Sequence, residues 1–234
     1  MLNNKTNILI KTEKEISYMR EAGHIIADIM NKMEAAIEPG ITTIELDNIS
    51  KKEIKKNNVK SAFLGLYDFP NTICVSINEE IVHGIPSSRK LKNGDIISID
   101  AGVIVSGFNS DHAKTFAVGD CTPKEIDLLS DTSESLKLAI DECMSGKFVG
   151  DIGNAVEKFI IPKGYGLVRN YTGHGIGRSL HEPPQVPNFG VSGTGPKLIP
   201  GMTLAIEPMV NLGGDETKLC DDGWTVVTSD GAKS

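Results

Sequence analysis

Three carboxylates and a set of histidines occur at spacings that could build a metal centre. Asp100 ends the apolar run Ile96-Ile97-Ser98-Ile99, and Asp111 follows it at a distance that fits a hairpin. If residues 95–105 and 106–117 pair with a turn at Val105-Ser106, the two aspartates lie opposite each other on one face. Carboxylates about 5 Å apart at Cβ repel, and burying them without a partner costs several kcal/mol. A cation between them removes that cost. Two other arrangements stay open on this pair alone: a pairing slipped by one residue, or both acids in solvent at the strand ends.

Glu207 follows a second apolar run, Thr203-Leu204-Ala205-Ile206, and a glutamate on a buried strand needs a partner. His174 lies within Tyr171-Thr172-Gly173-His174-Gly175-Ile176-Gly177. There three glycines let other backbone approach and present one imidazole, although a histidine among glycines also suits a plain turn. Asp100, Asp111, His174 and Glu207 together form a hard, oxygen-rich donor set. Such a set suits Mn, Fe(II) or Co, with Zn also acceptable, and differs from a tetrahedral structural zinc site. Two ions about 3.5–4 Å apart can activate a bridging water and polarise a carbonyl. His83, in Val82-His83-Gly84-Ile85-Pro86, and His181, in Leu180-His181-Glu182-Pro183-Pro184, both sit in loops. Each could donate a hydrogen bond to a developing oxyanion or a substrate amide, or could serve only its own loop. His24 and His112 are read as structural, because strand alternation turns His112 away from the face that Asp111 uses.

These side chains need elements to carry them. Residues 13–37 predict an amphipathic helix, with Ile16, Met19, Gly23, Ile26, Met30, Met33 and Ile37 on one face and a capping box from Thr12 to Glu15. A second helix starts at Thr42 or Thr43 and runs to about Asn57; its Lys-Lys-Glu-Ile-Lys-Lys stretch reads as a solvated face. Strands are predicted within 72–78, 95–105 and 112–118, then helices over 123–147 and 151–161, then strands within 202–210 and 224–228. Residues 90–103 (KLKNGDIISIDAGV) and 197–210 (KLIPGMTLAIEPMV) match at a constant offset, and the match places Asp100 against Glu207. A pair of helices precedes each copy. Two related α+β halves, each supplying one carboxylate to a shared interior, follow from that echo.

Bulk properties narrow the function. The 234 residues are 39% hydrophobic and 24% charged, enough for one large domain with a core. A net charge of −7 argues against an electrostatic grip on nucleic acid or anionic membrane. No apolar run is long enough to span a bilayer, and residues 1–15 lack the pattern of a secretory signal. The four cysteines, Cys74, Cys121, Cys143 and Cys220, are far apart in sequence and read as reduced thiols. An intracellular, cytoplasmic protein is expected.

The segments SINEEIVHGIP, DIISIDAGVIVSGFNSDHAKTF, YTGHGIGRSLHEPPQVPNFG, AIEPMVN and DGWTVVTSDG resemble type I methionine aminopeptidase, a branch of the M24 metallopeptidases, across residues 12–234. The resemblance implies an α+β pita-bread (creatinase/aminopeptidase-like) fold: two pseudo-symmetric halves with a curved antiparallel sheet covered by helices. It implies an N-terminal tail over 1–11 and a single catalytic domain over 12–234. Two divalent metal ions (Co, Mn, Fe or Zn) would be held by Asp100 as a chelating ligand of one, Asp111 as a bridge, and His174 and Glu207 on the other. Glu207 would also shuttle protons, and His83 and His181 would handle the substrate amide and the tetrahedral intermediate. Phe69, Cys74 and Trp224 would line a methionine pocket, where an apolar, sulfur-tolerant wall suits a thioether. The substrates implied are peptides and nascent proteins with a small second residue, met near the ribosome by a monomer of bacterial or organellar type. A fifth ligand, a second bridging glutamate, falls in the family beyond the position of Ser234, so the final strand of the sheet is expected to be missing. A prolidase or aminopeptidase P, and a pita-bread binding protein without catalysis, are the alternatives.

Overall fold

The computed structural model describes residues 8–234. Helices α1 (Glu13–Glu34) and α2 (Thr43–Lys56) come first, followed by strands β1 (Lys60–Ser61), β2 (Ile73–Ile77) and β3 (Glu80–Val82). Next are β4 (Ile96–Ala101), β5 (Val103–Val105), β6 (Phe108–Asn109) and β7 (His112–Ala117). The second half holds α3 (Pro123–Asp141), α4 (Val149–Ile160), β8 (Gly166–Leu167), β9 (Gly173–Gly175) and β10 (Glu182–Val186). Four short strands complete it: β11 (Leu204–Ala205), β12 (Val210–Asn211), β13 (Thr217–Leu219) and β14 (Val226–Thr228). None of the described helices is long and apolar enough to cross a membrane.

Local chemistry explains the helices. Thr12 and Glu15 close the predicted capping box at the start of α1, and Thr42 with Glu45 does the same for α2. The apolar face of α1 buries Ala22, Ile26, Ile29, Met30 and Met33 against β4 and β5, forming the first core. The lysines of α2 face solvent as expected, but Glu53 and Ile54 between them are buried; Glu53 pairs with Lys32 at 2.6 Å. The second core lies between α3, α4 and the strands that follow, around Val149, Ile152, Val156 and Leu198.

The echo in the sequence is an echo in space. Leu91 and Leu198 occupy matching places: each accepts a backbone hydrogen bond from a glycine, Gly40 or Gly146, at the loop between two helices. Each returns one, from Leu91 N to Ile41 O and from Leu198 N to Lys147 O. The bridges Thr42 to Lys90 and Phe148 to Lys197 repeat the same way. Gly94 and Gly201 adopt φ of +87° and +89°, a conformation that glycine reaches without a Cβ clash.

The hairpin that delivers the aspartates departs from its expected register. Asp100 pairs with Ala113 rather than Asp111, and the turn falls at Ser106-Gly107 rather than Val105-Ser106. The cause is backbone chemistry: a type I′ hairpin turn, whose twist matches the strands, needs φ > 0 at both central positions, and Ser106 (+50°) and Gly107 (+82°) supply it. The shift is two residues, so side-chain parity is kept and Asp111 stays on the face that Asp100 uses. The four cysteines are all unpaired.

Candidate metal centre

Each half of the molecule brings acids to the floor of one cavity of about 1050 Å³. Asp100 comes from β4 and Asp111 from the turn into β7, both in the first half; His174 sits in the middle of β9, and Glu207 follows β11. Strand β9 is threaded between β10 and β11, with His174 paired to Gln185 on one side and Ala205 on the other. The glycines make that fit: a Cβ on Gly173 would collide with Ala205 O, and one on Gly175 with Pro183 O. Burial of β9 between two strands thus fixes the imidazole.

His174 Nε2 lies 3.2 Å from Glu207 Oε1 and 3.5 Å from Asp111 Oδ2. Its other nitrogen, Nδ1, is 2.8 Å from Gly175 O, an oxygen that can only accept, so Nδ1 carries the proton in the neutral ring. Nε2 is thereby left to present its lone pair to the carboxylates' side, the orientation typical of a ligating histidine. One coordinating atom from each of Asp111, His174 and Glu207 fits within 4.8 Å of the others. Asp100 stands beside this trio. Burial first, and then the charges of Asp111 and Glu207, push its carboxyl well above the usual range. Glu207 is raised as well, by burial and by Asp111, against the lowering effect of His174. Burial disfavours charge on His174, but the carboxylates of Asp111 and Glu207 that face its Nε2 outweigh it and lift the ring to about 10.

Among the described residues, Asp100 Oδ1 and Glu207 Oε1 are buried oxygens without a hydrogen-bond partner. Orphaned carboxylate oxygens cost free energy unless something electropositive sits between them. A divalent cation among Asp111, His174 and Glu207 would satisfy the Glu207 oxygen and relieve Asp100 beside it, and an oxygen-rich set with one imidazole suits Mn, Fe(II), Co or Zn. The residues present fit the ions that the motifs imply.

His83 and His181 line the same cavity. The His181 ring meets that of His174 edge-on at 4.5 Å, and the ring of Tyr67 lies parallel to it at 6.2 Å. His83 adopts φ +62° and packs edge-on against Tyr171. Burial lowers the pKa of both histidines, helped by His181 for His83 and by His174 for His181. Each is therefore neutral at pH 7, with one N–H to donate and one lone pair to accept. Phe69 and Trp224 meet edge-to-face at 5.0 Å, and Cys74, paired across the sheet with Asp100, completes an apolar wall with Phe63 and Leu180. Burial, then Asp100 and Asp111, keep the Cys74 thiol protonated, so it acts as a small apolar surface.

All nine residues singled out in the sequence border this one cavity. Tyr67, Tyr171 and Asn188 were not singled out. Asn188 is buried and donates from Nδ2 to Glu207 O at 2.7 Å, anchoring the backbone of a metal-ligand candidate. An isolated asparagine after prolines gives no signal of that contact. Tyr171 immediately precedes the Thr-Gly-His run and could have been found from it.

The model of metallopeptidase family M24 matches residues 17–230. A methionine aminopeptidase of Clostridium perfringens is 47% identical, over 97% of this chain and 91% of its own length. A crystal structure of methionine aminopeptidase from Thermotoga maritima superposes with a TM-score of 0.95 at 41% identity, covering 97% of this chain and 91% of that one. Xaa-Pro dipeptidase from Bacillus anthracis shares the fold at a TM-score of 0.69 and 24% identity, over 94% of this chain and 62% of that one. The architecture is the pita-bread arrangement expected from the motifs.

Proposed function

The chain belongs to metallopeptidase family M24, and from that premise we propose how its cavity removes N-terminal methionine from peptides and proteins whose second residue is small. The observation that carries the reading is the meeting of acids from both halves with one imidazole, in a cavity that Phe69, Cys74 and Trp224 also line. Asp100, Asp111, His174 and Glu207 would hold the two divalent ions. Bound there, such ions lower the pKa of water and polarise the scissile carbonyl.

The chain's own residues do the rest. Phe69, Cys74 and Trp224 receive the methionine side chain, since a closed apolar wall gains most from an unbranched thioether. Neutral His83 donates its N–H to the substrate amide, and neutral His181 donates to the oxygen that gains charge as the carbonyl is attacked. Glu207, at the meeting point of Asp111 and His174, takes a proton from the attacking water and passes it to the leaving amine. The catalytic unit spans 12–234 and works as a monomer in the cytoplasm on chains emerging from the ribosome.

Assays with Met-Ala-Ser and Ala-Pro peptides, with metal content measured in parallel, test this reading. Release of methionine alone is expected, and cleavage confined to Ala-Pro would place the chain with the Xaa-Pro enzymes. D111N keeps the shape but removes a bridging charge. It should lower kcat by about 10²-fold or more while moving the unfolding midpoint of the metal-free protein little.

A further inference from the structure

We propose that Lys11 is a positioning residue for His181, acting through the carboxylate of Glu182; the proposal rests on the reading of His181 as a group that touches substrate. Lys11 Nζ lies 2.6 Å from Glu182 Oε2, and the two side chains are only 5% and 4% exposed. Lysine and glutamate are rarely buried to this degree, and the desolvation of such a pair largely cancels its attraction. Net stability is therefore a weak reason for placing it there. Its geometry supplies a better one.

The glutamate of the pair is tied directly to the loop that carries His181. Glu182 Oε1 accepts from Ser179 N at 3.1 Å, closing the turn Ser179–Glu182 around His181. Lys11 Nζ also donates to Leu9 O, and Lys11 N donates to Gly201 O at 2.8 Å, so the lysine is itself held rigidly. Gly177, at the base of the loop, has no room for a Cβ because Lys11 Cε and Glu182 Oε1 fill the space. From the opposite side Asn109 Nδ2 donates to Gly177 O at 2.9 Å and Arg178 O at 3.0 Å. The loop thus hangs between two anchors: Asn109, close in sequence to Asp111, and Lys11, in front of α1. His181 lies between them, with its ring against His174. Without the ammonium, the Glu182 carboxylate would be a lone buried charge and would turn toward water, releasing Ser179 N and the loop.

Steady-state kinetics on Met-Ala-Ser with the manganese-loaded full chain separate positioning from mere support. K11M should lower kcat by about 10- to 100-fold with little change in KM, the scale of a misplaced catalytic group. Manganese affinity by calorimetry should stay unchanged, because His181 is no ligand. In an H181A background, K11M should change kcat by less than about twofold, since two changes acting through one group do not add. Equal losses in both backgrounds, or wild-type kcat in K11M, would overturn the proposal. Full activity in H181A would instead remove the reading of His181 on which it stands. If K11M fails to fold, the neutral pair K11M/E182Q carries the same comparison.

Discussion

At the residue scale, protons and metal ions compete for the same acids. In a metal-free preparation, His174 holds a proton up to about pH 10, and Asp100 and Glu207 hold theirs above the ordinary carboxylate range. Folded-state pKa values raised above unfolded ones mean that the folded protein binds more protons across the interval between them. Stability from these groups is therefore complete at low pH. For the carboxyls it declines from about pH 4 upward, and for His174 from about 6.5 to 10. The metal-free protein should melt at a lower temperature at pH 9 than at pH 6.5 on this account. Metal entry at pH 7.5 must then expel the His174 proton, so titration calorimetry in buffers of different ionisation enthalpy should report release of about one proton or more per protein. Uptake with no proton release would refute the assignment of His174 Nε2 as a ligand atom.

At the element scale, glycines decide how closely strands approach. Gly173→Ala forces a methyl into Ala205 O across the β9–β11 ladder, while Gly107→Ala meets nothing and suffers only its positive φ. The first should cost about 1–3 kcal/mol of overpacking and weaken metal binding, because the strand it displaces carries His174. The second should cost about 1–2 kcal/mol and leave metal affinity alone. Denaturant unfolding and metal titration of both variants check the contrast, and equal metal affinities would mean that β9 does not set the ligand. The same elements show what a sequence can and cannot disclose. Capping boxes at Thr12 and Thr42 are local chemistry, so both helix starts could be read directly. Parity of the Asp100 hairpin was legible because side chains alternate strictly along strands. Its register was not, since it turns on whether Ser106 accepts a positive φ. The contact of Lys11 with Glu182 spans 171 positions and left no trace in the spacing.

At the scale of the whole molecule, the paired halves explain why the acids could be found at all. The match of Asp100 with Glu207 is a match of two strands, each following a helix pair and a glycine with left-handed φ. Repetition made a distant pairing visible where pairwise contacts would not have been. That architecture also has a thermodynamic consequence. The candidate ligands come from β4 and the turn into β7 in one half, and from β9 and the segment after β11 in the other, so an ion held between them bonds only when both halves are folded and docked. Ligand that binds the folded state alone adds RT ln(1 + [L]/Kd), about 2.7 kcal/mol at a hundredfold excess over Kd. For a chain of this size that is roughly 5–10 °C in Tm. Removal of metal by a chelator should lower Tm by that amount, and each tenfold rise in free manganese above Kd should restore about 1.4 kcal/mol. Hydrogen exchange should quicken together at β4 and β9 in the chelated protein, because repulsion among Asp100, Asp111 and Glu207 then acts on both halves at once. A melting temperature independent of manganese concentration would mean that the acids meet without holding an ion, and the peptidase reading would lose its chemistry.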